Sequence, residues 1–200
     1  MSNKSAANLR SEKERTKGQK LKPVELRLVS ELMQNCRRSD RELAKTIGVS
    51  QPTVSRLTAK LQKEGYFQEF ALIPRFNKLG FRIMAIIFFK LKKTLNQEET
   101  EKARKTATEN LTKHYFEIVM VERGMGLGYN GVVISYHKDY SSYVQLMKWF
   151  KQFDFLEIES LDSFIIDLED KIYYRSLTFK TLAQNLLSEG MKELAKGAKR

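Results

Sequence analysis

The sequence predicts an α+β chain of two domains, and three observations support this fold class. Apolar residues recur at three- and four-residue spacing between residues 23 and 64, which indicates a group of short helices. Between residues 81 and 168, apolar segments follow the order strand, helix, strand, strand, helix, strand. That order is typical of a split βαβ, ferredoxin-like (βαββαβ) sheet. One more amphipathic helix follows the sheet.

Charge and composition narrow the class of protein. The 200-residue chain has a net charge of +12, which favours a polyanionic partner, nucleic acid before an anionic membrane surface. Its single cysteine, Cys36, excludes an intramolecular disulfide and fits a reducing compartment. There is no apolar run of membrane-spanning length, and the N-terminus lacks the apolar core of a signal peptide. We therefore expect a cytoplasmic protein without a membrane partner.

Local signals mark where the helices of the first domain begin and end. Ser39 and Glu42 form a capping box at the start of the second helix. Ser50 is the expected side-chain cap of the third helix, which begins at Gln51 and stops before Gly65. The first domain should therefore contain three helices in quick succession.

The second and third helices carry the pattern of a helix-turn-helix. Two helices that cross closely need a small residue at the contact, which Ala44 supplies. The turn needs a residue that tolerates positive φ, which Gly48 supplies four positions later. A preceding helix and an extended ribbon over residues 66–74 indicate the winged variant, whose third helix enters the major groove of DNA. Five aliphatic side chains should point inward: Leu43, Ile47, Val49, Val54 and Leu57.

The outer side of the third helix supplies the candidate DNA-reading residues. Gln51 can form two hydrogen bonds with adenine and Arg56 can do so with guanine. Ser50 and Thr53 can donate to a phosphate or a base edge, and the basic residues are expected at phosphates, where they set affinity rather than sequence preference. The full candidate set is Arg37, Arg38, Ser50, Gln51, Thr53, Ser55, Arg56, Lys60 and Lys63.

The first strand of the second domain predicts a homodimer. Nearly every position from Phe81 to Leu91 is apolar, so both sides of this strand need cover. A ferredoxin-like sheet has helices on one face only, which leaves either Met84 and Phe88 or Ile87 and Phe89 in water. Apolar patches of that size usually mark an interface. A symmetric dimer would also let two reading helices engage half-sites about one turn of DNA apart.

A glycine-rich stretch resembles a nucleotide-binding motif but stands in the wrong context. Gly126 to Gly131 matches the pattern G-x-G-x-x-G. A dinucleotide site needs strand, turn and helix in that order, whereas residues 132–136 have the pattern of a strand. The sequence also contains no catalytic motif and no Cys/His cluster with metal-ligand spacing. We therefore expect no catalytic residue, no cofactor and no metal.

Residues 22–170 resemble the Lrp/AsnC (feast/famine) family of bacterial and archaeal regulators, through the stretches 37–81 and 116–153. The resemblance implies a winged helix-turn-helix followed by a ferredoxin-like domain that dimerises. It also implies assembly into tetramers or octamers, and an effector such as an amino acid bound between dimers. Asn130 stands where the family usually has an aspartate. The effector residues implied near the glycine turn are Gly124, Gly126, Gly128, Tyr129 and Asn130.

The last segment of the chain lies outside the family's usual pattern. Residues 176–196 read as one amphipathic helix with an apolar side that needs a partner. Gly190 in its interior is expected to weaken it.

These observations combine into a prediction of four segments and a function. The segments are a basic flexible arm (1–21), a winged helix-turn-helix (22–75), a ferredoxin-like sensing and dimerisation domain (76–170) and a C-terminal helix (171–200). The predicted function is a sequence-specific transcription regulator that binds double-stranded DNA as a dimer or higher oligomer, modulated by an amino acid or another small metabolite. One alternative is an architectural, nucleoid-type DNA binder without an effector. The other is an enzyme resembling sirohaem decarboxylases, against which the basic outer side of the third helix argues.

Overall fold

The computed structural model describes residues 21–93, 95–114, 117–152, 157–172 and 175–197. The predicted basic arm, apart from its last residue, lies outside the described residues. The chain divides into two compact units, one holding the described residues up to Ile73 together with those from Ser176, and one holding Pro74–Arg175. The C-terminal helix, which the sequence set apart as its own segment, therefore belongs to the first unit.

Three helices open the first unit, and their boundaries follow the local sequence signals. The capping box is confirmed, because Ser39 Oγ accepts the Glu42 N–H and the Glu42 carboxylate accepts the Ser39 N–H at 2.8 Å. Gly48 ends the second helix in the left-handed conformation at φ 77°, which confirms the positive-φ turn. The helices are α1 (Pro23–Gln34), α2 (Asp40–Ile47) and α3 (Gln51–Lys63).

The core of this unit forms where the three helices meet. Ala44 is buried, and its carbonyl oxygen accepts the N–H groups of Gly48 and Val49, each at 3.0 Å. The small side chain of Ala44 thus lies where the turn brings α2 close to α3. All five positions predicted to point inward pack in this core, three of them buried (Leu43, Ile47, Val54) and two half-buried (Val49, Leu57).

The segment after α3 differs from the ribbon expected of a wing. Residues 66–75 belong to no helix or strand. Phe67 packs against the helical core, and its ring lies 5.5 Å from that of Phe70. The segment is therefore held by side-chain packing rather than by strand pairing, and the predicted ribbon is corrected to an irregular connection.

The second unit is a four-stranded antiparallel sheet in the order β2-β3-β1-β4. This order, with two helices in the connections, confirms the predicted ferredoxin-like arrangement. A short 3₁₀ turn, Phe76–Leu79, precedes the first strand. The elements in chain order are β1 (Ile83–Leu91), α4 (Gln97–His114), β2 (Ile118–Gly126), β3 (Tyr129–His137), α5 (Tyr140–Lys151) and β4 (Ile158–Asp167).

The two faces of the sheet differ in what covers them. Ala85 and Ile87 of β1 are fully buried in a core whose helical part is Tyr143, Leu146 and Phe150 of α5. Because side chains alternate along a strand, their neighbours Met84 and Phe88 lie on the other face. The sequence did not decide which of the two pairs lies on the uncovered face. The structure places the half-buried Met84 and Phe88 there, and Ile87 and Phe89 pack in the core under the helix.

The glycine-rich stretch is a tight β-hairpin. Gly126 pairs with Tyr129, and the two residues between them, Leu127 and Gly128, both have positive φ (53° and 82°). This is the backbone pattern of a two-residue hairpin turn. The strand predicted after the motif is confirmed, since β3 runs on from Tyr129 where a dinucleotide site would need a helix.

The sixth helix, α6 (Lys180–Gly197), packs against α1. Ser30 Oγ donates a buried hydrogen bond to the Ala183 carbonyl at 3.0 Å, and a Cβ placed on Gly190 would lie 2.3 Å from a methyl carbon of Leu26. Gly190 thus permits the close approach of the two helices. The sequence predicted only that this glycine weakens its own helix. Three apolar side chains of this region point away from the contact and are exposed: Phe179, Leu182 and Leu186.

We predict that Gly131→Ala destabilises the sheet unit by roughly 1–3 kcal/mol through overpacking. Gly131 lies opposite Phe89, and an added Cβ would lie 1.9 Å from the nearest ring carbon. The control is Gly124→Ala, where no atom lies within 4 Å of the added Cβ. Urea unfolding of the three proteins measures the difference, and equal stability of the two variants would contradict the packing assignment.

We also predict a stability loss in mild acid that depends on His137. This side chain is fully buried, with Nε2 2.8 Å from Ser135 Oγ and with no hydrogen-bond partner at Nδ1 among the described residues. Burial lowers the pKa of His137 below 6.5, although the charges of Glu117 and Asp139 act in the opposite direction. Its contribution to stability is therefore present above pH 6.5, the unfolded value, and is lost as the pH falls from there toward the lowered folded pKa.

The measurement compares the unfolding free energies of the wild type and of His137→Gln at pH 8 and pH 5.5. The wild type should lose more stability than the variant, by at most about 1.4 kcal/mol per pH unit for a single proton. Identical pH profiles would show that the burial of this imidazole does not penalise its charged form.

Candidate nucleic-acid interface

Helix α3 has a buried side and an exposed side, and the division follows from its packing. Val54 and Leu61 are fully buried against α1 and α2. Gln51, Ser55 and Arg56 are exposed on the other side. The turn at Gly48 sets where α3 starts and therefore which of its residues enter the core. The same turn places these three polar side chains together on the exposed side.

The hydroxyl groups at the start of α3 interact with each other rather than with the helix backbone. Ser50 occupies the N-cap position but makes no side-chain cap hydrogen bond, which corrects the predicted cap. Its Oγ instead lies 2.8 Å from Thr53 Oγ1. Pro52 in the first turn lacks one N–H that would otherwise need a partner. The Ser50 side chain is exposed beside the N–H groups of the first turn, an arrangement suited to a phosphate oxygen.

Three basic candidates keep their charge available at the surface. Arg56 is exposed, and its Nε donates to the Pro52 carbonyl at 3.2 Å, which turns the side chain along the helix. Lys63 and Arg37 are also exposed. Within the described part of the chain, none of these three side chains forms a salt bridge.

Two other basic candidates are engaged inside the domain. The guanidinium of Arg38 contacts the Glu31 carboxylate and the Thr46 hydroxyl, and so links the end of α1 to α2. The ammonium of Lys60 lies 2.7 Å from Oε1 of Glu25 in α1 and 3.8 Å from Oε1 of Glu64. Their side chains therefore hold the helices together, and the phosphate contacts that the sequence predicted for them stay a prediction.

The buried carboxylate of Glu25 is the feature that sequence reasoning missed. Glu25 is only 4% exposed and also accepts the Lys22 N–H at 2.8 Å. Burial would raise the pKa of Glu25, but the Lys60 ammonium and the Lys22 N–H together lower it below its usual value. Lys60 and Glu64 are four positions apart, a spacing at which side chains of one helix commonly pair. Lys60 and Glu25 are 35 positions apart, and nothing in the sequence pattern indicates their contact.

The residues implied for an effector site lie along the β2–β3 hairpin. Gly124 and Gly126 are in β2, Gly128 is in the turn, and Tyr129 begins β3. The Tyr129 hydroxyl donates to the Asp162 carboxylate of β4. The Asn130 side-chain oxygen accepts the Leu91 N–H at 2.9 Å, so it completes the end of β1. Tyr129 and Asn130 therefore have structural partners, and of the three candidate glycines only Gly128 lies in the turn itself.

The described residues hold neither a metal-binding cluster nor a membrane-spanning helix. No group of three or more His, Cys, Asp or Glu side chains within them has a metal-binding arrangement. None of their helices has both the length and the apolar character needed to cross a membrane.

Sequence comparison finds a DNA-binding family and several regulators that are similar to this chain. A family model described as winged helix-turn-helix DNA-binding matches residues 21–68. The chain is 33% identical over 103 residues to an uncharacterized HTH-type transcriptional regulator of Pyrococcus furiosus, which covers 52% of this chain and 64% of the relative. It is 37% identical over 73 residues to one of Pyrococcus horikoshii, which covers 36% and 49%. The chain thus spans between about half and two thirds of these relatives.

Structural comparison extends the likeness to both domains. The crystal structure of the Pyrococcus horikoshii relative covers 80% of this chain and 99% of its own, with a TM-score of 0.62 and 26% identity. The structure of Escherichia coli AsnC covers 78% and 97%, with a TM-score of 0.58 and 20% identity. The L-Met complex of a transcriptional regulator from Neisseria meningitidis covers 81% and 99%, with a TM-score of 0.59 and 15% identity.

The exposed reading helix and the antiparallel sheet define a winged helix-turn-helix protein with a ferredoxin-like second domain. The resemblance to the Lrp/AsnC family is confirmed, and the chain has the two-domain fold of those regulators.

Proposed function

We propose that this chain is a cytoplasmic transcription regulator that reads double-stranded DNA through α3. The observation that carries the proposal is the exposed side of α3, where Gln51, Ser55 and Arg56 stand together on a helix whose other side is fixed in the core. An α-helix fits the major groove, and amide and guanidinium groups can form paired hydrogen bonds with adenine and guanine edges. The winged helix-turn-helix match over residues 21–68 and the HTH-type regulators among the relatives support the same role.

Selection from a randomised DNA pool at two salt concentrations, followed by sequencing, tests this proposal. A recovered palindrome would support a dimeric, sequence-reading regulator. Binding that is steep in salt but enriches no motif would instead favour an architectural DNA binder, for which the net charge of +12 is the supporting observation. Absence of binding would refute a DNA-binding role.

Arg56→Ala should weaken binding to the selected sequence by about 1–3 kcal/mol and relax the preference at one base position, because it removes a paired contact to a base edge. The matched control is Lys63→Ala, which should weaken binding to all sequences alike, since a phosphate contact carries little sequence information. Titration of each variant with selected and random DNA measures both effects. An equal loss on both DNAs for Arg56→Ala would assign Arg56 to a phosphate.

We propose further that the protein acts as a homodimer through the open face of the sheet. On that face Ile86 of β1 lies beside Phe164 of β4, and Phe164 is 63% exposed. Met84 and Phe88 belong to the same face by alternation. A second copy would cover this apolar surface, and a two-fold axis would present two α3 helices to the DNA.

Phe164→Asp should convert the dimer to a monomer, with a roughly 100-fold or larger rise in the dissociation constant, because it places a carboxylate in an apolar interface. Tyr140→Asp is the control, since Tyr140 is 62% exposed and belongs to α5, which covers the other face of the sheet. Sedimentation equilibrium gives the assembly state. A dimer that tolerates the change at Phe164 would place the interface elsewhere.

An amino acid or another small metabolite is the effector that we propose for the second domain. The support is the fold shared with a regulator solved as an L-Met complex. Thermal shift with each of the twenty amino acids, on the wild type and on Tyr129→Phe, tests both the ligand class and the involvement of the hairpin.

A further inference from the structure

Three groups with ionisable side chains meet at the C-terminal end of α3. The Lys60 ammonium lies between the carboxylates of Glu25 (2.7 Å) and Glu64 (3.8 Å). The Glu25 side chain is 5% exposed, that of Glu64 is 35% exposed and that of Lys60 is 44% exposed. The charge of Lys22 also acts on the Glu25 carboxylate, so two carboxylates and two ammonium groups balance in this region. Lys60 therefore offers a DNA phosphate no uncompensated positive charge.

Binding a phosphate would require Lys60 to leave a buried partner. If the ammonium moved out to a phosphate, the buried Glu25 carboxylate would keep the Lys22 N–H as its hydrogen-bond partner and, for its charge, only the weaker interaction with Lys22. A buried carboxylate that loses its directly paired cation is strongly destabilising. The contact between Lys60 and Glu25 therefore opposes any contact between Lys60 and DNA.

Lys63 provides a direct comparison on the same helix. Lys63 follows Lys60 by three residues and is exposed. Within the described part of the chain it forms no salt bridge. At 100° per residue, Lys60 lies half a turn from Gln51, on the side that contacts α1, whereas Lys63 lies nearer the exposed side. The two lysines have equal charge and similar position along the helix, but only Lys60 is neutralised within the domain.

We propose that Glu25 is a positioning residue that limits the affinity of the domain for the DNA backbone. It withholds Lys60 from the phosphates, so that Lys63 supplies the contact at this end of α3. The inference rests on the proposed DNA-binding function. Phosphate contacts strengthen binding to every sequence, so a lysine held back lowers the affinity for selected and random DNA alike.

The experiment measures the salt dependence of binding to random and selected DNA for the full chain and its variants. Each phosphate contact contributes about −0.9 to the slope of log K against log salt. Lys63→Met should flatten the slope by about one, and Lys60→Met should leave it unchanged. Glu25→Gln should steepen it by up to about one and bind both random and selected DNA about three- to tenfold more tightly at low salt, with the ratio of the two affinities unchanged. The double variant Glu25→Gln with Lys60→Met should return to the slope of Lys60→Met.

A second variant, at the partly exposed Glu64, tests the proposal even if Glu25→Gln fails to fold. Glu64→Gln removes one carboxylate of the cluster without touching the buried one, and should steepen the slope less than Glu25→Gln does. Circular dichroism confirms that each variant is folded. Three outcomes would overturn the proposal. In the first, Lys60→Met flattens the salt slope as much as Lys63→Met does. In the second, the slope is unchanged in both Glu25→Gln and Glu64→Gln, and in the third it is unchanged in Lys63→Met. Absence of DNA binding by the wild type would instead refute the proposed function itself.

Discussion

The presentation of α3 depends on one backbone constraint, the left-handed conformation of Gly48. At φ 77° this residue lets the chain turn from α2 to α3 while the Ala44 carbonyl accepts two successive N–H groups. A residue with a Cβ is disfavoured in this conformation by roughly 1–2 kcal/mol. Once the turn is set, Val54 and Leu61 enter the core and Gln51 and Arg56 are left outside. Which polar side chains α3 exposes is thus decided by a residue outside that helix.

Short-range sequence signals predicted most of the fold, and long-range contacts account for what they missed. The capping box at Ser39 and the turn at Gly48 involve neighbours within a few positions, so both were readable. The engagement of Lys60 with Glu25 depends on how α1 packs against α3, which periodicity does not specify. In the same way, glycines usually indicate turns, but Gly131 lies within a strand because the Phe89 ring occupies the space of a side chain.

The choice between the two faces of the sheet shows the same limit of pattern reasoning. Alternation establishes that Met84 and Phe88 lie opposite Ala85 and Ile87, but a strand that is apolar throughout does not reveal which face the helix covers. Helix α5 decides this, since its Tyr143 hydroxyl lies 2.6 Å from Ser163 Oγ of β4 and Leu146 is fully buried beside Ile87. The small side chain of Ala85 contributes to the same covered face. The larger Met84 and Phe88 remain on the face that a second copy would cover.

The number of lysine and arginine residues overstates the positive charge that the helical domain can offer to DNA in the proposed function, because some of these cations are paired with carboxylates. Arg38 joins α1 to α2 through Glu31, and Lys60 joins α1 to α3 through Glu25. Non-specific affinity grows with the number of phosphates neutralised, whereas the base contacts proposed for Gln51 and Arg56 would not depend on that number. In the proposed function, pairing two cations internally would therefore lower the affinity for DNA of every sequence and leave the proposed base contacts unchanged. The ion pairs that fix the positions of the three helices would thus also limit the affinity of the domain for the DNA backbone.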